Sequence, residues 1–153
     1  MNDPIGAIVA NNALPEVQDW LDDFVKRSGA IVGSVNLPRK QYVLAASHRI
    51  PESIQNAACV LVPGKGTGGT ALQRKEPVNI SDIQTDQSGV APAGSRASQA
   101  SGVLTMPIIG SDGEVLAVVG IGFEGSRTFT EEEIAALVND ASSVLRISPS
   151  GDW

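Results

Sequence analysis

Gly64-Lys65-Gly66-Thr67-Gly68-Gly69 is the segment whose residue types and spacing most invite a chemical reading. It fits G-x-G-x-x-G, follows an apolar run and precedes a helical pattern, the order in which a dinucleotide pyrophosphate meets a helix N-terminus. Asp82 would then be the acid on the ribose. The interval from Gly69 to Asp82 is too short for a crossover helix and a strand, which argues against that use. A Walker A loop is excluded, because Lys65 is followed by Gly66 rather than Ser or Thr and the required upstream glycine is missing. Two alternatives stay open. The segment could present backbone N–H groups and a positive dipole end to a carboxylate, nitrate or phosphate, with Lys65, Thr67 and Thr70 as added donors. Equally, the glycines could serve only a tight turn with positive φ.

Other reactive side chains are few. The chain has one Cys and one His, which excludes an internal disulfide and leaves few ligands for zinc. No metal or cofactor is expected. Cys59 lies in the apolar run AACVLV and reads as core packing. His48 follows a strand pattern and reads as a strand-end residue, with haem ligation or donation to a ligand as the alternative. Glu131, Glu132 and Glu133 fall in the first turn of a helix, where acids favour the dipole, and are no catalytic pair. Seventeen acidic against eleven basic residues give a net charge of −6, which argues against a generic nucleic-acid binder.

These residues must be positioned by a single domain of 153 residues, with residues 1–13 and 147–153 expected as flexible tails. The N-terminus has no basic region followed by a long apolar run, and no stretch approaches the roughly 20 apolar residues that span a bilayer. A cytoplasmic location, with no membrane partner, is expected. Leu14, Val17, Trp20, Leu21, Phe24 and Val25 recur at helical spacing, so a helix is predicted from Pro15 to Ser28, ended by Gly29. Ala30–Leu37 and Gln41–Ser47 read as an antiparallel hairpin. Pro51–Ala58 reads as a short helix, Ala58–Val62 as a brief apolar run, Gly69–Arg74 as a short helix and Val78–Ile80 as an extended piece. Gln84–Gln99 reads as a long loop. Gly102–Ile109 and Glu114–Phe123 read as strands joined at Gly110-Ser111-Asp112-Gly113. Thr130 and Glu133 match a capping box, Phe129 and Ile134 a hydrophobic staple, and the helix they open carries an apolar stripe from Ile134 to Leu145. Antiparallel strand pairs with helices at both ends of the chain point to the α+β class.

Three of these stretches, in this order, resemble the GAF domain family. They are LVPGKGTGGTALQRKEPVNISDIQTD (Leu61 to Asp86), SGVLTMPIIGSDGEVLAVVGIGF (Ser101 to Phe123) and FTEEEIAALVNDASSVL (Phe129 to Leu145). The resemblance implies an antiparallel sheet with the N- and C-terminal helices on one face, and short helices and loops covering a small-molecule pocket on the other. The nearest branch is similar to the free methionine-(R)-sulfoxide reductases, through Cys59-Val-Leu-Val-Pro and Gly69-Thr70-Ala71. Those enzymes carry a Cys where this chain has Gly68, and another in the loop that here runs from Gln84 to Gln99 without any Cys. Attack on a sulfoxide needs one thiol and resolution needs a second, so the resemblance implies the fold without the activity.

The function expected is that of a binding module for a small molecule or anion, reporting to a separate signalling protein. A small anion is suggested because nitrate receptors are among similar GAF proteins. The ligand-binding candidates are Lys65, Thr67, Thr70, Ser81, Asp82, Ser98, Ser101 and Thr105. A homodimer through the terminal helices is expected as well. The alternatives are a ligand-free dimerisation or interaction module and a degenerate relative of the reductases with residual activity.

Overall fold

Leu14 and Gly29 mark the limits of the first helix. In the computed structural model, which describes residues 14–38, 41–50, 60–84 and 100–147, helix α1 runs from Pro15 to Ser28. Pro15 suits the first helical turn, where its missing N–H would be unpaired anyway. Gly29 closes the helix in the left-handed region (φ 76°), donating its N–H to Lys26 and Val25 carbonyls. The apolar stripe buries Val17, Leu21, Phe24 and Val25, and half-buried Trp20 stacks on Phe24 with ring centroids 4.9 Å apart.

Strands β1 (Val32–Pro38), β2 (Tyr42–His48), β3 (Val60–Leu61), β4 (Val78–Ile80), β5 (Gly102–Ile109) and β6 (Val115–Phe123) form one six-stranded sheet in the order β3-β2-β1-β6-β5-β4. Every neighbouring pair is antiparallel. Alternation along the strands divides the sheet into two faces. Val35, Leu37, Leu104, Met106, Ile108, Ala117, Val119 and Ile121 point to the first face, where they pack against α1, Ala141 and Val144. The second face carries Val32, Val78, Ile80, Val115 and Val118, covered by Ala71 and Leu72 of helix α2 (Gly66–Arg74). The α+β class and the layering expected from the sequence are therefore both present.

Helix α3 (Glu131–Ala141) begins with a complete capping box: Glu133 N–H donates to Thr130 Oγ1 (3.1 Å), and Thr130 N–H to Glu133 Oε1 (3.1 Å). It is shorter than the sequence stripe suggests. From Ser142 to Arg146 the backbone tightens to a 3₁₀ helix. The Ser142 and Ser143 hydroxyls each donate to a carbonyl three residues back, Asn139 and Asp140, which favours the tighter turn. Helix α2 departs in the other direction, starting at Gly66 rather than Gly69. The short helix expected over Pro51–Ala58, Cys59, nearly all of the loop expected over Gln84–Gln99, and the expected tails apart from Ile147 lie outside the described residues. Among the described residues no helix is long and apolar enough to cross a membrane.

Candidate functional site

The Gly-rich segment folds back on itself before α2. Lys65 N–H donates to the Val62 carbonyl (3.0 Å) and Gly64 N–H to the Gly69 carbonyl (2.8 Å). The Val62 carbonyl oxygen lies only 2.0 Å from where a Cβ on Gly69 would sit, and Gly66 adopts φ 71°. Backbone geometry alone thus demands glycine here, which accounts for the motif without any phosphate. Lys65 caps α2 in an extended conformation and is exposed, Thr67 is half-buried, and Thr70 is buried on the helix.

Beneath α2, strand register assembles a row that is scattered in sequence. Ser34, Gly120, Thr105 and Val78 stand side by side across β1, β6, β5 and β4. A Cβ on Gly120 would lie 3.1 Å from Ser34 Oγ and 3.7 Å from Thr105 Oγ1, so the glycine leaves a notch between two hydroxyls. Val32, Gly122, Val103 and Ile80 form the next row, giving the notch an apolar flank. Among the described residues the only buried polar side chains are Asn36, Thr70 and Thr105, the last two at 5% and 4% exposure. No side-chain polar atom of these residues is both fully buried and unpartnered. Among the described residues neither the Thr70 nor the Thr105 hydroxyl makes a hydrogen bond, so both keep contact with solvent despite the burial of their residues. Ser34 and Gly120 were not among the sequence candidates. The signal for Ser34 was present, because Val35 and Leu37 facing the first layer put Ser34 on the other side.

The remaining candidates lie at one end of the sheet and serve its loops. Asp82 Oδ1 accepts from Gln84 N–H (2.9 Å) and Oδ2 from the Ser126 hydroxyl (3.4 Å). The Ser81 carbonyl accepts from Arg127 N–H (2.8 Å), and the Ser101 carbonyl from Ile83 N–H (2.8 Å). Asn79 ties this end together: its amide nitrogen donates to the Val103 (3.0 Å) and Arg127 (3.2 Å) carbonyls, and its oxygen accepts from Phe129 N–H (3.2 Å). The Arg127 guanidinium lies 4.4 Å from the Phe123 ring centroid and 4.5 Å from that of Phe129. The sequence candidates therefore fall in three places: Lys65, Thr67 and Thr70 on α2 and the turn before it, Ser81, Asp82 and Ser101 at the strand ends, and Thr105 in the floor. Ser98 lies outside the described residues.

His48 stands at the end of β2 on the opposite face, donating from Nδ1 to Asp22 of α1 (2.8 Å). This bond, against an opposing effect of burial, holds the Asp22 carboxyl below the usual carboxylate range, and Gln18 adds a further donor. No group of His, Cys, Asp and Glu among the described residues could hold a metal ion.

The GAF domain sequence profile matches residues 9–144. No curated protein matches the chain in sequence. Among solved structures, the chain is similar to the type II free methionine-R-sulfoxide reductase from Thermoplasma acidophilum, at 14% identity and TM-score 0.64, over 95% of this chain and 96% of that one. It is similar to the GAF domain of a phosphoenolpyruvate-protein phosphotransferase from Coxiella burnetii, at 23% identity and TM-score 0.63, over 94% and 93%. A third likeness is the GAF domain/HD domain protein from Geobacter sulfurreducens, at 16% identity and TM-score 0.65, over 86% and 88%. At these identities the structural likeness concerns the fold. With the profile match spanning nearly all of the described sheet and helices, it makes this chain a member of the GAF domain family.

Proposed function

We propose that the chain is a sensory GAF module that binds a small molecule or small anion between α2 and the sheet and reports to a separate partner protein. GAF domains typically serve as sensory or regulatory modules in signalling proteins. The observation that carries the proposal is the pair of nearly buried hydroxyls, Thr70 and Thr105, that make no hydrogen bond among the described residues. A hydroxyl in so nearly buried a position that makes no bond within the described residues is available to a polar group from outside the protein. Ligand binding would shift an existing equilibrium of the elements around it, since a ligand can move a conformation only by its differential affinity. The terminal helices are the natural output. Arg27 of α1 is bonded to Asp140 of α3 (2.9 Å), and Trp20 Nε1 donates to Ser143 (2.8 Å), so α1 is tied to the end of α3 and to the 3₁₀ turn after it. The same helices would form the homodimer, and the module would act in the cytoplasm.

Native mass spectrometry on gently purified protein tests the sensor reading. An added small mass that disappears on denaturation supports it; a protein that carries none, and gains none on incubation with a metabolite extract, counts against it. A twofold mass in the same spectrum reports the homodimer. Catalysis of methionine sulfoxide reduction is not proposed, because Gly68 stands where the reductases have a Cys. Turnover of free methionine sulfoxide that is lost in Cys59→Ser would overturn that exclusion.

A further inference from the structure

We propose that Gln18 guards an open edge of the sheet: its side-chain amide stands in for a neighbouring strand along β2 and keeps a second copy of the chain from adding there. This goes beyond the sensor reading and does not depend on it. Among the described residues, β3 reaches only Tyr42 and Val43 of β2, so no strand there lies beside Ala45 and Ser47. Helix α1 takes that place. Leu14 N–H, in extended backbone just before the helix, donates to the Ala45 carbonyl (3.0 Å). One turn on, Gln18 Nε2 donates to the Ser47 carbonyl (2.8 Å), and Gln18 Oε1 accepts from Ser47 N–H (3.3 Å). Ser47 thus exchanges both of its main-chain hydrogen bonds with a single carboxamide, which is the pattern of a hydrogen-bonded pair in an antiparallel ladder. Ser34 of β1 lies on its other side, so these two groups of Ser47 face the outer edge.

The amide is held in this sense. Its nitrogen also donates to Asp22 Oδ1 (2.8 Å), and the same oxygen accepts from His48 Nδ1 (2.8 Å). Turned over, Oε1 would face a carboxylate oxygen and a carbonyl, with no proton for either. Leu14, Gln18 and Asp22 recur every four residues, so one side of α1 meets the edge. An open edge offers N–H and C=O groups to another chain, and sheets in natural proteins are protected against this. A second copy carries the same groups, so two bared edges match each other about a two-fold axis.

The test compares the full chain with Gln18→Ala, Gln18→Lys and, as a control, Asp19→Ala at an exposed position of the same helix. Circular dichroism checks folding, NMR follows hydrogen exchange of the Ser47 amide, and light scattering gives the mass over a range of concentrations. In Gln18→Ala, exchange at Ser47 should rise about tenfold. Its mass should grow with concentration beyond that of the unaltered chain. In Gln18→Lys the acceptor for Ser47 N–H is lost as well, so exchange rises, but a charge on the edge keeps the mass at that of the unaltered chain. Asp19→Ala should match the unaltered chain in both readings. Should Gln18→Ala not fold, Gln18→Leu, which keeps the bulk without the bonds, replaces it. The proposal is overturned by unchanged exchange at Ser47, by a mass equal to that of the unaltered chain at every concentration, or by Gln18→Lys associating as strongly as Gln18→Ala.

Discussion

Replacing Thr105 by Val should make this protein more stable while removing part of the proposed binding site. Thr105 is central in β5, paired with Gly120 on one side and Val78 on the other, and is 4% exposed. Valine has the same branched shape and the same stiff χ1, and strands favour it, so packing and backbone are preserved. What changes is the hydroxyl. Had it a partner, removal would leave that partner unsatisfied and cost about 1–3 kcal/mol. It makes no hydrogen bond among the described residues, so the folded state instead loses a desolvation penalty. Burial of an unpaired hydroxyl costs about 1–3 kcal/mol on the scale of protein variants. The hydroxyl keeps some contact with solvent, so roughly a third of that, about 0.3–1 kcal/mol, should be recovered. In a chain of this length such a gain raises Tm by about 1–4 °C. Urea unfolding should show a higher midpoint with an unchanged slope, the sign of a stability effect rather than a change in the denatured state. Gain of stability with loss of binding is the pattern of a group kept for function. A fall in Tm of several degrees would refute the reasoning, because it would mean that the hydroxyl holds the fold together.

The close approach of Gly69 to the Val62 carbonyl means that Gly69→Ala should cost about 2–3 kcal/mol in urea unfolding, since backbone must move. Gly68→Ala should cost less, because its Cβ would meet the Leu61 Cδ2 atom, which can turn aside; equal losses would contradict this. Asn79→Ala removes three hydrogen bonds that join β4, β5 and the loop before α3, and should lower stability by about 2–3 kcal/mol. A loss below about 0.5 kcal/mol in the same assay would show that water replaces them. The Asp22 carboxyl is lowered in the folded state, chiefly by its bond from His48, so its contribution is full above its ordinary pKa and is lost as pH falls through the lowered value. Asp22→Asn should therefore flatten the decline in urea midpoint as pH falls below the ordinary carboxyl range, about pH 4, and leave it unchanged above; parallel profiles for the two proteins in that acid range would disprove the linkage. The effect is small, since Asp22 is 42% exposed and well screened.

Local chemistry made most of the elements legible. Pro15 and Gly29 bound a helix whose stripe faces the core, Thr130 and Glu133 close a capping box, and the Gly110–Gly113 turn returns β5 into β6. Each of these depends on residues within a few positions of one another, so periodicity and turn chemistry suffice to find them. The same chemistry misjudged the start of α2, because its first turn depends on how closely Val62 approaches Gly69. It also extended α3 too far, because the back-bonding of Ser142 and Ser143 tightens the end without breaking the apolar stripe.

The candidate site was legible only in part. Thr105 and Thr70 could be named from their segments. Asp82 looked equally available in sequence, yet its carboxylate is occupied by Gln84 and Ser126, the second being remote along the chain. Family membership and the α+β architecture follow from motifs in order, because each motif is a local pattern and order is a property of the chain. The row of Ser34, Gly120 and Thr105 exists only once β1, β6 and β5 pair in one register. A slip of one residue would turn those hydroxyls to the other face, so the tertiary structure alone decides which small polar residues meet.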